Sequence, residues 1–175
     1  MPTFEENFLK YSGDKLEQYA SGIQDCLRRL SDEQVWMRGS AAENSAGNLI
    51  LHLCGNVRQW IGFGIAGQAD NRHRDAEFAA RGGVSAGELS HKLADAVKET
   101  VGIIRAQTPE TLAQSTNVQN YELTKMEAIY HVVEHFSGHT GQIILLTKIL
   151  TGEDLGYYKH LSASASRTPA PDPIP

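Results

Sequence analysis

The sequence predicts an all-α fold, a four-helix bundle, and three observations carry that expectation. Apolar residues recur at the three-to-four-residue spacing of a helix over four long stretches. Cap-forming Ser or Thr residues stand just ahead of these stretches. No segment sustains the two-residue alternation of a strand, so a sheet is not expected.

The elements follow in order. Thr3 and Glu6 have capping-box spacing and open a helix whose stripe reads Phe4, Phe8, Leu16, Tyr19, Ile23, Cys26, Leu27 and Leu30. Gly13 and Gly22 weaken it locally without breaking the stripe. Ser31 to Gln34 is a second cap, followed by Val35 and Trp36 in one short turn. Ser45 caps the second long helix, with Leu49, His52, Leu53, Asn56, Trp60 and Phe63 turned inward and Gly62, Gly64 and Gly67 closing it. A polar crossover follows from Gln68 to Gly83, too long and too charged for a tight turn. Its Arg72, Arg74, Asp75 and Glu77 read as a solvated crossing, with the lining of a cavity mouth as the alternative. Ser85 and Glu88 cap the third long helix, which carries Leu89, Leu93, Ala96, Val97, Thr100, Ile103 and Ile104 on one side. Thr108-Pro109-Glu110 starts a short turn with Pro in its favoured first position. Thr124 and Glu127 cap the fourth long helix, expected from about Lys125 to Leu150, with Gly152 as its stop. The bundle is expected over residues 1–161. The Ser-, Ala- and Pro-rich tail, 162–175, cannot pack a core and is expected to be disordered.

Composition narrows the functional classes. The chain has 175 residues, 41% hydrophobic and 21% charged, enough for one domain with a continuous core. Its net charge of −5 and scattered Lys and Arg exclude a concentrated basic surface, so no nucleic-acid partner and no electrostatic membrane anchor is expected. The longest mostly apolar run, Leu49 to Ala66, holds His52, Asn56, Arg58 and Gln59, a polar load unsuited to a bilayer span. No signal peptide is read at the start. Cys26 and Cys54 fall inside helical apolar patterns and read as reduced core residues of a cytoplasmic protein.

The histidines carry the chemistry. His135 and His139 on the fourth long helix are ~40° apart around its axis and about 6 Å apart along it, so both imidazoles can reach one metal ion. Gly138 and Gly141 leave room beside them. A third ligand must come from another helix, and His52 stands among the inward positions of the second. Alone, His52 reads as a hydrogen-bonded core residue, and an i,i+4 His pair reads as coincidence. Together, on separate helices of one bundle, they read as a metal site. Cys54 is offset from His52 by ~200° and is excluded as a co-ligand. His131 continues the line of the pair but lies ~80° from His139, which makes it a neighbouring residue and the spare fourth ligand. His73, His91 and His160 read as surface residues. A zincin needs Glu after the first His of its pair, where Phe136 stands. A di-iron bundle needs Glu three residues before each His, where Val132 and Phe136 stand.

Leu49-Ile-Leu-His52-Leu together with His135-Phe-Ser-Gly-His139-Thr-Gly-Gln142-Ile resembles the DinB/YfiT-like superfamily of metal-site bundles. Glu43 to Asn48 and Gly55 to Trp60 resemble one of its uncharacterised bacterial subfamilies. The resemblance spans roughly residues 4 to 155 and implies an up-up-down-down bundle with a long crossover. It implies three histidine ligands, which fall on His52, His135 and His139, and a tendency to pair as homodimers. Its members include thiol-dependent transferases and isomerases and metal-dependent hydrolases.

Three protein ligands with open positions describe a catalytic site for one divalent transition metal. Imidazoles suit Zn or Ni foremost, with Fe, Mn, Co and Cu as alternatives. The expected substrate is a small molecule, with a low-molecular-weight thiol or water activated at the metal. Gln142, close to the face of His139, and Asn48, one turn before His52, are the candidate helpers. Asn56 is a further polar neighbour, while Arg58 and Glu134 read as solvated. The competing expectation is a non-catalytic, metal-stabilised bundle acting as a binding or stress-related protein, with His131 closing the site.

Overall fold

The computed structural model describes residues 1–157 and 159. The expected disordered tail, 162–175, and His160 lie outside the described residues. Four long helices dominate: α1 (Phe4–Leu27), α3 (Ala46–Val57), α5 (Ala86–Arg105) and α7 (Lys125–Thr151). Shorter pieces join them: α2 (Asp32–Trp36), α4 (Arg74–Ala79) and α6 (Pro109–Leu112). The predicted starts are the observed ones. Thr3, Ser31, Ser45, Ser85, Thr108 and Thr124 each accept from the backbone N–H three residues on, and the side chain at that third position bonds back to the cap. Such reciprocal bonds satisfy the donors a helix start would leave orphaned. The last long helix stops at Gly152, whose φ of 70° is the left-handed conformation that glycine adopts without penalty.

The core lies where α1 packs on α5 and α7 and α3 packs on the same two helices. Leu16 and Ile23 of α1, Ile50 and Leu53 of α3, Leu89 and Leu93 of α5, and Ile129, Phe136 and Ile143 of α7 are wholly buried there. Leu16, Ile23, Leu53, Leu89 and Leu93 belong to the predicted stripes, whereas Phe4 and Phe63, also predicted inward, are exposed. Ring pairs fix the direction of α3 against α7. His52 meets His139 and Trp60 meets His131, so one helix advances as the other retreats.

Three departures from expectation bear on the site. A two-stranded antiparallel hairpin, β1 (Ser115–Val118) and β2 (Tyr121–Thr124), stands where no sheet was expected. Each strand has four residues, too few to display a period. Gln119 and Asn120 form its two-residue turn, both at positive φ (54° and 66°), as a hairpin turn matching the strand twist requires. The second long helix changes register after Val57 and continues as a π-helical segment, Arg58–Phe63. The hairpin lies against this segment, and Thr116 donates a hydrogen bond to the Gly64 carbonyl. Finally, the crossover contains α4, and two of its charged side chains are not solvated. Glu77 is buried, and the side chain of Arg72 is only 4% exposed.

Candidate metal centre

His52, His135 and His139 come together. One ring nitrogen of each lies within 4.8 Å of the others. His52 Nε2 and His135 Nε2 are 2.9 Å apart, and the ring of His139 stands 4.5 Å from that of His135 and 5.2 Å from that of His52, centroid to centroid. The helix spacing that places the α7 pair on one face is the cause, with His52 delivered by the antiparallel α3. His131 lies outside the trio. It stacks on Trp60 at 4.0 Å between centroids and runs nearly parallel to His135 at 5.5 Å. His73 and His91 are exposed.

The trio is suited to hold a transition-metal ion, and burial favours the neutral form of two of its members. Burial, reinforced by the neighbouring His139 and His52, pushes the His135 imidazolium down to about 3. Burial also lowers that of His139, against the opposing pull of its Gln142 hydrogen bond. Lone pairs of soft-to-borderline imidazole nitrogens are the donor set that divalent first-row metals prefer. One side stays open, as a cavity of about 320 Å³ lined by His131, Glu134, His135, Gly138, His139 and Gln142.

The helper residues divide. His139 Nδ1 donates to Gln142 Oε1 at 2.6 Å, so Gln142 orients a member of the trio. Asn48 is buried one turn before His52, but its carboxamide faces α4. Its Nδ2 donates to the carbonyls of Glu77 (2.8 Å) and Ala80 (3.0 Å), and its Oδ1 accepts from Arg38 and Ser45. Asn48 thus pins the crossover rather than the trio. Asn56 is buried with Oδ1 unpartnered, as is the indole N–H of Trp60 one turn later. Glu134 stays exposed at the open cavity. Arg58 is exposed on a separate cavity of about 670 Å³ behind α4. Cys26 and Cys54 are buried free thiols, and burial pushes that of Cys54 up to about 11.

Sequence reasoning took Glu77 and Arg72 as solvated, with a cavity lining only as the alternative, and did not connect them to His52. Glu77 Oε2 lies 2.9 Å from His52 Nδ1, and Arg72 grips the same carboxylate with Nε on Oε1 (2.8 Å) and Nη2 on Oε2 (2.9 Å). Burial pushes the Glu77 carboxyl up, but the Arg72 and His52 hydrogen bonds together outweigh it and hold the group below its usual range. Arg72 and Glu77 are therefore folded onto the trio, correcting the solvated reading for these two, while Arg74 and Asp75 stay exposed. Gly55, three residues after His52, was the available signal. A Cβ there would collide with Glu77 Oε1 and meet Arg72 Nε at 3.0 Å.

Gly55→Ala tests that fit through its sign. Within a helix the change ordinarily stabilises by up to ~1 kcal/mol. Here it is expected to destabilise by about 1–3 kcal/mol in urea unfolding, because the colliding carboxylate is held at both oxygens. A stabilised variant would mean that Glu77 moves aside freely.

Fold and site together define a helical protein with three clustered histidines open on one side. The model of the family described as "Protein of unknown function (DUF1572)" matches residues 3–166, and the chain belongs to that family. No curated protein matches it. Among solved structures it is similar to the crystal structure of a conserved protein from Enterococcus faecalis. The two are 15% identical with a TM-score of 0.71, over 82% of this chain and 97% of that one. That likeness shows the fold.

Proposed function

We propose that this protein is a metal-dependent enzyme of the DinB-like type, a four-helix bundle holding one divalent ion, Zn or Ni foremost, on His52, His135 and His139. The observation that carries the reading is the trio of ring nitrogens within 4.8 Å, joined by no fourth candidate ligand among the described residues, with His135 and His139 also lining a cavity. A divalent ion at that place lowers the pKa of a water or a thiol and polarises a carbonyl. The chain's own residues do the rest. Gln142 holds His139 through Nδ1, which turns its other nitrogen inward. No atom of the described residues crowds Gly138 or Gly141, so α7 leaves the approach to His135 and His139 unobstructed. The cavity suits a small-molecule substrate, with a low-molecular-weight thiol or water as the nucleophile, in thiol transfer or hydrolysis. No described helix is long and apolar enough to cross a membrane, in keeping with a cytoplasmic enzyme. Leu145 and Ile149, 59% and 68% exposed along α7, offer an apolar face for a homodimer.

Elemental analysis of untagged protein purified without chelator is the test, with His52→Ala and His139→Ala alongside. About one metal per chain in the parent, absent from both variants, is the expected result. Loaded parent should then catalyse thiol transfer or hydrolysis, and chelation should abolish it. A folded, metal-free parent that refuses added Zn and Ni would overturn the reading. Metal uptake without turnover, and with only a lower melting temperature on chelation, would make the ion structural.

A further inference from the structure

We propose that Glu77, clamped by Arg72, is the positioning residue that sets the tautomer of His52 and so leaves its Nε2 bare toward His135 and His139. The role of the bared nitrogen rests on the metal reading above; the tautomer itself does not.

A neutral His52 ring allows two arrangements. In the first, Nδ1–H donates to Glu77 Oε2 at 2.9 Å, and Nε2 is a free acceptor facing His135 Nε2 at 2.9 Å. In the second, Nε2–H points at His135, and Nδ1 accepts from Arg72 Nη2 at 3.0 Å. The second sets the bare Nδ1 lone pair 2.9 Å from an acceptor-only carboxylate oxygen in a buried place, where like-signed charge is poorly screened. The first makes a charge-assisted bond there instead. Glu77 therefore decides between them. An ion shared by the trio needs every inward nitrogen unprotonated, which only the first arrangement supplies at His52.

Arg72 makes the decision firm. Its fork takes both oxygens of Glu77, and its remaining Nη1 donates to Gln59 Oε1 at 3.0 Å on the π-helical segment. Glu77 cannot rotate away without giving up both bonds. Asn48 holds the Glu77 backbone as well, so the carboxylate is fixed from both ends. Arg72 also matches the charge of Glu77 locally. The carboxylate can then select the tautomer without adding net negative charge beside the trio, unlike an unpaired carboxylate behind a ligand histidine.

Side-chain nitrogen NMR on the full metal-free chain tests this, with zinc affinity measured by chelator competition as the second readout. The proteins are the parent, Glu77→Gln, Glu77→Ala and Arg72→Lys, each checked for helicity by circular dichroism. The parent should carry its His52 proton on Nδ1. Glu77→Ala should move the population to Nε2–H and weaken zinc binding about 10- to 100-fold. Glu77→Gln should fall between, because its amide oxygen still accepts. Arg72→Lys, which keeps the charge but not the fork, should show a tautomer mixture. A parent protonated on Nε2, or a Glu77→Ala variant with an unchanged tautomer and folded structure, overturns the proposal. The expected tautomer shift in a parent that takes up no zinc would leave this assignment standing while the metal reading fails.

Discussion

His135→Ala is expected to weaken zinc binding roughly a thousandfold, while His131→Ala changes it less than tenfold. The estimate follows from the scale of protein zinc sites. Their apparent binding free energies run to about 10–16 kcal/mol, so one ligand of three carries roughly 3–5 kcal/mol. His135 is the middle of the trio, with its Nε2 2.9 Å from that of His52 and its ring packed edge-on against His139. His131 has the same residue type one turn earlier on α7, yet its ring lies on Trp60 and belongs to no metal-sized group among the described residues. The pair of variants separates ligation from the general effect of removing an imidazole from α7. Chelator competition gives both numbers, and equal losses in the two variants would place His131 on the ion.

Phe136→Ala is expected to lower stability by about 3–5 kcal/mol, the range for a fully buried aromatic ring. The ring is wholly buried and stands on the face of α7 opposite the solvent, with Ile129, Val132 and Ile143 around the same stripe. Native stabilities run from about 5 to 15 kcal/mol, so the loss is a large share of the whole margin. The corresponding drop in melting temperature is roughly 6–20 °C. Urea unfolding monitored by helicity reads it directly. A loss under ~1 kcal/mol would mean that the site can collapse around the missing ring, and that α7 is less tightly seated than its burial indicates. Because His135 adjoins Phe136, the same variant should bind zinc more weakly even at temperatures where it remains folded.

What could be read ahead of the structure was what local chemistry determines. A capping box spans three residues, so Thr3, Ser85 and Thr124 announced their helices from the sequence alone. The α7 pair was legible because helical geometry converts a spacing of four into a shared face, and His52 followed from its inward position on α3. The contact of Glu77 and Arg72 with His52 was not legible for the converse reason. Charged residues in a long connection ordinarily face water, and only a contact made across the fold turns them inward. Asn48 shows the same limit. Its place one turn before His52 was correct, but which of two neighbouring surfaces its carboxamide serves depends on where α4 lies. The hairpin escaped because four-residue strands display no period, although Asn120 beside Gln119 carried the turn chemistry. The π-helical register shift after Val57 has no side-chain pattern of its own at six residues.

His52 and its Glu77 partner are 25 residues apart, whereas His52 and His135 are separated by 83. A ribosome adding roughly 5–20 residues per second completes the first pair within about five seconds and the second only some 4–17 s after His52 appears. During that interval only one of the three imidazoles has been synthesised. A single nitrogen competes poorly with other cellular ligands for zinc or nickel, so the growing chain has little means of capturing the wrong metal. On the metal reading proposed above, the site is complete only once α7 has docked onto α3, so any ion is drawn from what the folded chain meets.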